Sequence, residues 1–288
     1  MNEISFKCEV ITPMFLHGAD GKTPELRLPS IKGSLRFWWR AIHYNLANLK
    51  KEESQEFGGS DQEIGRSRLQ MRVTHPRNLK TGNEISPLPH KKIKFKDPIK
   101  YIEPGETFTV ILRSRDDIGN YSRLFQLVSL LGGVGKRSRR GFGSFRIIEI
   151  DEKGFSSDVK IESVFSLVDK ISPKNFVLDK GKIIQKNPTV SPAYPYIKEI
   201  EIGRTHKSAE GLLRKIGETT HKKNPGGSVD SLGFARGQDR QASPVYVTIT
   251  KDAAGDYYPI ITTLNTVLKG SGTIDLNIQR EFKDRILL

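Results

Sequence analysis

The sequence predicts an α+β fold of the ferredoxin-like kind, with split βαβ (RRM-like) order, and the rest of the chain admits a second, degraded or irregular copy. Three observations carry this. The first 150 residues read as strand, helix, strand, strand, helix, strand. A glycine-rich basic loop, Gly132 to Ser144, stands between the last helix and the last strand. A length of 288 residues gives room for two ordinary domains. We divide them as 1–155 and 156–288, since the change of pattern falls between Ile150 and Ile171 and no obvious linker marks it.

The elements of the first half follow from their patterns. Ile4 to Ile11 alternates, with Ile4, Phe6, Cys8 and Val10 on one face, as a half-buried strand does. His17 to Pro29 is rich in turn residues, and Ser30 stands as the N-cap of a helix from Lys32 to Lys50. Phe57-Gly58-Gly59 ends that region. Arg68 to Thr74 alternates as a strand. Thr81 to Gly105 holds four prolines, with six lysines from Lys80 to Lys100, and reads as a long irregular insertion. Thr107 to Leu112 reads as a buried strand, Tyr121 to Leu131 as a short helix, and Ser144 to Ile150 as a strand.

The second half is less regular. Val159–Val168, Val177–Ile184 and Ile197–Ile202 read as strands, and Ser208–His221 as a helix. Asn187 to Pro195 holds three prolines, and Gly226-Gly227 and Gly233 break the chain. Pro244–Thr250 and Tyr257–Ile261 are strands around a Gly255 turn, and Asp275–Ile286 closes as a helix.

Charge is the informative part of the composition. Lys and Arg total 47 against 33 Asp and Glu, a net of +14. Up to Ile150 there are 26 basic and 16 acidic residues, and after it 21 and 17, so the N-terminal half carries most of the excess. Such a balance points to a polyanion, nucleic acid first, against the blander reading of charge that only keeps the chain soluble. No run approaches the roughly 18 apolar residues of a membrane span. The N-terminus has no apolar signal-like stretch. A single cysteine, Cys8, excludes an internal disulfide framework and any multi-cysteine zinc site. A reducing, cytoplasmic setting is expected, with no membrane partner.

Two segments concentrate the charge. On the helix from Lys32, a turn of about 100° per residue puts Leu35, Trp39, Ile42, Leu46 and Leu49 in one arc. Lys32, Arg36, Arg40 and His43 fall in the next. Like charges at this spacing repel, and no acidic residue from Lys32 through Leu49 relieves them. A polyanion along that face would relieve them; a solvated basic face is the competing reading. Trp38, at the edge of the apolar arc, is a core residue, a base-stacking platform or part of an interface.

The second segment, Gly132 to Ser144, holds five glycines, the cations Lys136, Arg137, Arg139 and Arg140, and no acid. Glycine lets backbone amides approach an anion closely, and the cations supply donors for phosphate. The spacing is not that of a P-loop, because Leu130 and Arg137 stand where a glycine and a Ser or Thr are needed. Arg140-Gly141-Phe142-Gly143 matches the start of the RNA-recognition-motif consensus, but Ser144 displaces the next aromatic.

Three blocks stand out together: Thr12-Pro13-Met14-Phe15-Leu16-His17-Gly18-Ala19-Asp20, Pro29-Ser30-Ile31-Lys32-Gly33-Ser34-Leu35-Arg36-Phe37-Trp38-Trp39-Arg40, and the loop Gly132 to Ser144. Together they resemble the RAMP family. The second block narrows the resemblance to the two-RAMP-domain first subunit of type III-B CRISPR (Cmr) effector complexes, and Phe57-Gly58-Gly59-Ser60 agrees. After residue 150 the main recognisable feature is Gly233-Phe234-Ala235-Arg236-Gly237 leading into Ala242-Ser243-Pro244. The resemblance implies two ferredoxin-like domains and a non-catalytic, RNA-binding role near the 3′ end of the CRISPR RNA (crRNA), where target single-stranded RNA is captured beside other Cmr subunits. It implies an RNA-facing set of Lys32, Arg36, Arg40, Lys136, Arg137, Arg139 and Arg140, with Arg236 and Arg240 in a second loop. No cofactor is expected.

Some RAMP relatives cut RNA with a histidine or another acid–base pair acting on the 2′-hydroxyl. His17 and His43 lie nearest the expected RNA surface and are the candidates for such chemistry. A structural or solvated histidine is the simpler reading of each. No familiar zinc pattern is present; His206 and His221 lack a neighbouring ligand pair. A scaffold that touches only other proteins is the third reading.

Overall fold

The computed structural model describes residues 1–59, 66–88, 99–187, 194–236, apart from 225–229, and 238–288, apart from 268–272. The lysine-rich part of the insertion through residues 89–98, most of the 187–195 proline segment and Gly226-Gly227 lie outside the described residues.

The first half begins with β1 (Asn2–Val10), α1 (Leu28–Ile42), α2 (Leu49–Phe57) and β2 (Gln70–Thr74). A two-residue pair, β3 (Thr81–Gly82) and β4 (Tyr101–Ile102), ties off the insertion. Then come β5 (Thr107–Ser114), α3 (Ile118–Leu131), β6 (Phe145–Ile150) and β7 (Lys153–Gly154). The sheet runs β2-β5-β1-β6-β7 and is antiparallel throughout. Its first four strands have the ferredoxin-like order expected from the split βαβ reading. Phe6, Cys8 and Val10 bury the face that the alternation assigned to them.

Two boundaries in this half differ from expectation. Ser30 is not the N-cap: α1 starts at Leu28 after Arg27, with Pro29 in the first turn. Proline fits there because its missing N–H has no helical partner to lose. The helix also stops at Ile42, and a second helix, α2, follows. Between them Tyr44 Oη and Asn45 Nδ2 reach Asn175 in the second half, at 3.4 and 3.2 Å. That anchoring holds the chain in a turn, so Leu46 is exposed and does not continue the apolar stripe.

The second half contains α4 (Ile161–Ile171), β8 (Phe176–Asp179), β9 (Lys182–Gln185), β10 (Ile197–Ile202), α5 (Ala209–Lys223), β11 (Phe234–Arg236), β12 (Asp239–Gln241), β13 (Val245–Lys251), β14 (Tyr257–Leu264) and α6 (Leu276–Leu287). The expected strand at Val159–Val168 is a helix. Val164 and Val168, four apart, are fully buried, and Ile161, Phe165 and Ile171 pack beside them. That is a 3.6-residue period, not a period of two. The expected single strand at Val177–Ile184 is a hairpin, because Lys180 and Gly181 both take positive φ, as a two-residue turn requires.

The second sheet runs β13-β14-β10-β9-β8. From β10 onward the chain repeats strand, helix, strand, strand, helix, with the separate β11–β12 hairpin inserted after α5 and with Ser208 and Asp275 capping α5 and α6. The order β9-β10-β14-β13 matches β6-β1-β5-β2, but the outer strand β9 comes from before the repeat rather than after it. The irregularity expected of the second copy thus has a definite form: its last strand is supplied from the front.

Two buried clusters each draw residues from both halves. Phe6, Trp38 and Phe125 lie in the same buried cluster as Phe176, Ile200 and Tyr246, and Phe15 and Phe142 pack with Leu213, Val247 and Phe282. Among the described residues no helix is long and apolar enough to cross a membrane.

Candidate nucleic-acid interface

The glycine-rich loop links the two sheets. The amides of Val134, Lys136 and Gly143 donate to Gly143, Phe15 and Pro13, and that of Gly141 donates to Val247 of β13 at 2.8 Å. Val247 N donates back to Arg139 O at 3.2 Å. Gly143 has φ +65°, and a Cβ on it would sit 1.9 Å from Val134 O; one on Gly135, at φ +96°, would sit 2.5 Å from Phe15 O. The glycines therefore serve close backbone packing. These amides, expected to face an anion, are spent on protein carbonyls.

The loop's cations divide by this geometry. Lys136 and Arg137 are exposed. Arg139 is half-buried: its guanidinium lies over Phe37 at 4.9 Å and Tyr246 at 5.6 Å and donates to Ser243 O at 2.5 Å. Arg140 is 8% exposed and donates to the carbonyls of Leu232 and Val245 at 2.7 and 2.9 Å. Burial pushes its pKa down to about 9, with Arg137 and Arg139 adding to the push, so it remains cationic at neutral pH. Arg140 is thus corrected from a candidate RNA contact to an internal clamp. Its charge is consumed by carbonyls of the second half.

The basic row on α1 is present, and its charge is partly neutralised. Arg36 Nε and Arg40 NH1 both donate to Glu53 Oε1 on α2, at 2.6 and 2.5 Å, and the Glu53 side chain is 4% exposed. The absence of an acidic partner between Lys32 and Leu49 was true of the sequence but not of space, because the turn after Ile42 brings α2 against α1. Lys32 Nζ meets Ser67 Oγ at 3.3 Å, and burial lowers its pKa, with Arg36 adding to the effect. Arg40 also lies 5.4 Å over the Tyr194 ring. Trp38 is fully buried against Phe37 and Tyr246, which overturns the stacking-platform and interface readings.

In the second loop, Arg236 pairs with Asp239 across the β11–β12 hairpin; its side chain lies outside the described residues. Arg240 is exposed. Arg139, Arg240, Gln241 and Pro195 line a common cleft of about 430 Å³. Pro195 follows Tyr194, which touches Arg40. The structure therefore brings loop, hairpin and α1 row into one neighbourhood.

The two candidate histidines have separate surroundings. His17 is buried, with Nε2 2.8 Å from Lys100 O. His43 stacks on Trp39 at 4.6 Å, with Nδ1 2.9 Å from Trp39 O, and burial lowers its pKa. It lines a different cleft, with Glu56, Arg68 and Tyr121. No group of three or more His, Cys, Asp or Glu among the described residues is placed to hold a metal.

The comparisons with known proteins agree with this architecture. The RAMP superfamily profile matches residues 7–146. The Cmr subunit Cmr1-2 of Pyrococcus furiosus is 30% identical over 185 residues, covering 51% of this chain and 96% of that protein. This chain belongs to the RAMP superfamily. Within it, the Cmr1 group is the relevant one. The subunit Cmr1-1 of the same organism is 27% identical over 302 residues, with 90% of this chain and 87% of that protein covered. The crystal structure of apo Cmr1 from Pyrococcus furiosus superposes with a TM-score of 0.65 at 22% identity, covering 99% and 96% of the two chains. A chain of type III-B Cmr-beta bound to cognate target RNA gives 0.63 at 13% identity, covering 99% and 98%. These superpositions show that the chain shares its fold with those structures.

One residue of this candidate site had no signal in the sequence pattern: Glu53 sits in a charged helix, indistinguishable from its solvated neighbours.

Proposed function

We propose that this chain is an RNA-binding, non-catalytic subunit of an RNA-guided type III-B complex. It would work in the cytoplasm, contacting crRNA near its 3′ end, target single-stranded RNA or both, beside other Cmr subunits. The observation that carries this reading is the loop itself. Its backbone is pinned by hydrogen bonds to both halves, and it presents Lys136 and Arg137 outward. A rigid pair of exposed cations is suited to phosphate and carries no sequence code. Sequence would be read by guide–target pairing. The relatives' membership of Cmr complexes supports the assignment. We take residues 1–155 and 156–288 as the two domains, each with its own sheet.

The non-catalytic reading rests on chemistry. Cleavage at a 2′-hydroxyl needs an acid and a base on one reacting centre. His17 is held at the Lys100 carbonyl and His43 lines a separate cleft against Trp39.

The test is a filter-binding titration of the full chain with labelled single-stranded RNA at several salt concentrations, without metal. The RNA is then run on a denaturing gel. Salt-steep binding with intact RNA is expected. Fragments ending in 2′,3′-cyclic phosphate would make the chain an endonuclease. RNA-independent capture of partner subunits, with no RNA bound, would make it a protein-only scaffold.

A further inference from the structure

Gly33 lies inside α1, and it is exposed. A glycine there weakens the helix relative to alanine, because its backbone has more freedom to lose. Packing within the chain gives no reason for it. A Cβ built on Gly33 would meet nothing within 4 Å. Gly135 and Gly143 differ, since a Cβ on either would run into a backbone carbonyl. The fold itself would accept alanine at this turn, so the bare surface serves something outside the chain.

The surroundings of Gly33 say what that is. Arg36 and Phe37, one turn on, share its face of the helix, and Arg40 follows a turn later. Glu53 fixes the two guanidinium groups, and Arg139 lies over the Phe37 ring at 4.9 Å. Ser34, the next residue, donates through Oγ to Gly133 O of the glycine-rich loop at 3.4 Å. Lys32, the residue before, meets the Ser67 hydroxyl, and α1 carries no acidic residue. The missing side chain therefore leaves a notch in a cationic face, beside the loop. A single strand of RNA suits it, because its backbone is slim and brings a negative charge with every nucleotide.

We propose that Gly33 admits the ribose–phosphate backbone of single-stranded RNA to direct contact with α1, where Lys32 and Arg36 reach the adjoining phosphates. The proposal rests on the RNA-binding reading above and adds a steric requirement to it: the helix must be bare at this turn. The contact is to the backbone, so it carries no sequence preference. Gly33 thus gives up helix stability for close approach.

The test titrates labelled single-stranded RNAs of unrelated sequence onto the full chain and onto its Gly33→Ala and Gly33→Leu variants. Both substitutions keep the charge and favour helix. The Tm of Gly33→Ala is expected to rise by roughly 2–4 °C. Its RNA affinity is expected to fall about fivefold, the scale of forcing one methyl into a packed contact. Gly33→Leu should lose more, and every sequence should lose alike. A purely structural glycine would not yield a variant that is more stable and binds more weakly. Unchanged affinity in both variants, loss confined to some sequences, or a lower Tm for Gly33→Ala would overturn the proposal and leave the RNA reading standing. Unchanged RNA affinity with lost capture of another Cmr subunit would assign the bare turn to a protein instead. Failure of the parent chain to bind any of the RNAs at any salt would overturn the RNA reading itself.

Discussion

Arg140, in the loop that closes the first half, donates to the carbonyl of Leu232 in the second half at 2.7 Å. The same guanidinium reaches Val245 O. Arg140→Met leaves the Leu232 carbonyl buried and unpaired, at a cost of about 2–3 kcal/mol. That is a fall in Tm of roughly 5–10 °C for a chain of this size. Arg140→Lys keeps the charge but not the fork, so it should recover less than half. Differential scanning fluorimetry decides this, and a variant as stable as the parent would refute the clamp.

Lys136 and Arg137 are the loop cations left for RNA. Changing both to Gln should leave Tm unchanged, because the side chains are exposed. It should weaken binding to unrelated single-stranded RNAs by similar factors. If each neutralises one phosphate, the log–log salt slope should flatten by about 1.4. An unaltered slope would remove the loop from the interface.

Arg36 and Arg40 cannot be tested by simple charge removal, because Glu53 sits beneath them. The Arg36→Gln/Arg40→Gln variant strands a buried carboxylate and should cost about 1–3 kcal/mol, discounted for the partial exposure of both arginines. Adding Glu53→Gln should restore part of the lost Tm. Glu53→Gln alone releases both guanidinium groups and should tighten RNA binding while steepening its salt dependence. Tighter binding without a steeper slope would mean the row does not meet phosphate.

The second sheet and α6 share a partly buried ion cluster. Lys283 Nζ bonds Glu201 at 2.6 Å and also bonds Glu199, and Lys182 bonds Glu201 at 2.6 Å and Glu199 at 3.1 Å. Burial works to raise the Glu199 pKa, but Lys283 and Lys182 outweigh it and hold the group below its ordinary 4.5. A carboxylate lowered in the folded state contributes stability above its unfolded pKa and loses it as pH falls through the folded value. The urea midpoint should therefore drop below about pH 4.5, and Glu199→Gln should flatten that drop. Parallel pH profiles for the two proteins would contradict the assignment.

Local pattern was enough for much of this molecule. Phe6, Cys8 and Val10 marked β1, Ser208 marked the start of α5, and Gly255 the turn between β13 and β14. Where pattern misled, a local signal was ambiguous. Val159–Val168 alternates loosely but buries Val164 and Val168 at helical spacing. Lys180-Gly181 is a turn inside an otherwise continuous apolar run.

The sequence by itself determined the family, the α+β character and the concentration of positive charge on α1 and the loop. Those features reside in contiguous residues, where composition and spacing are readable. Which charges are free was decided only by tertiary structure. Glu53 reaches Arg36 and Arg40 because the chain turns after Ile42, and Arg140 is consumed by carbonyls about a hundred residues away. Partnering is set by burial and distance between remote segments, and no local pattern encodes either.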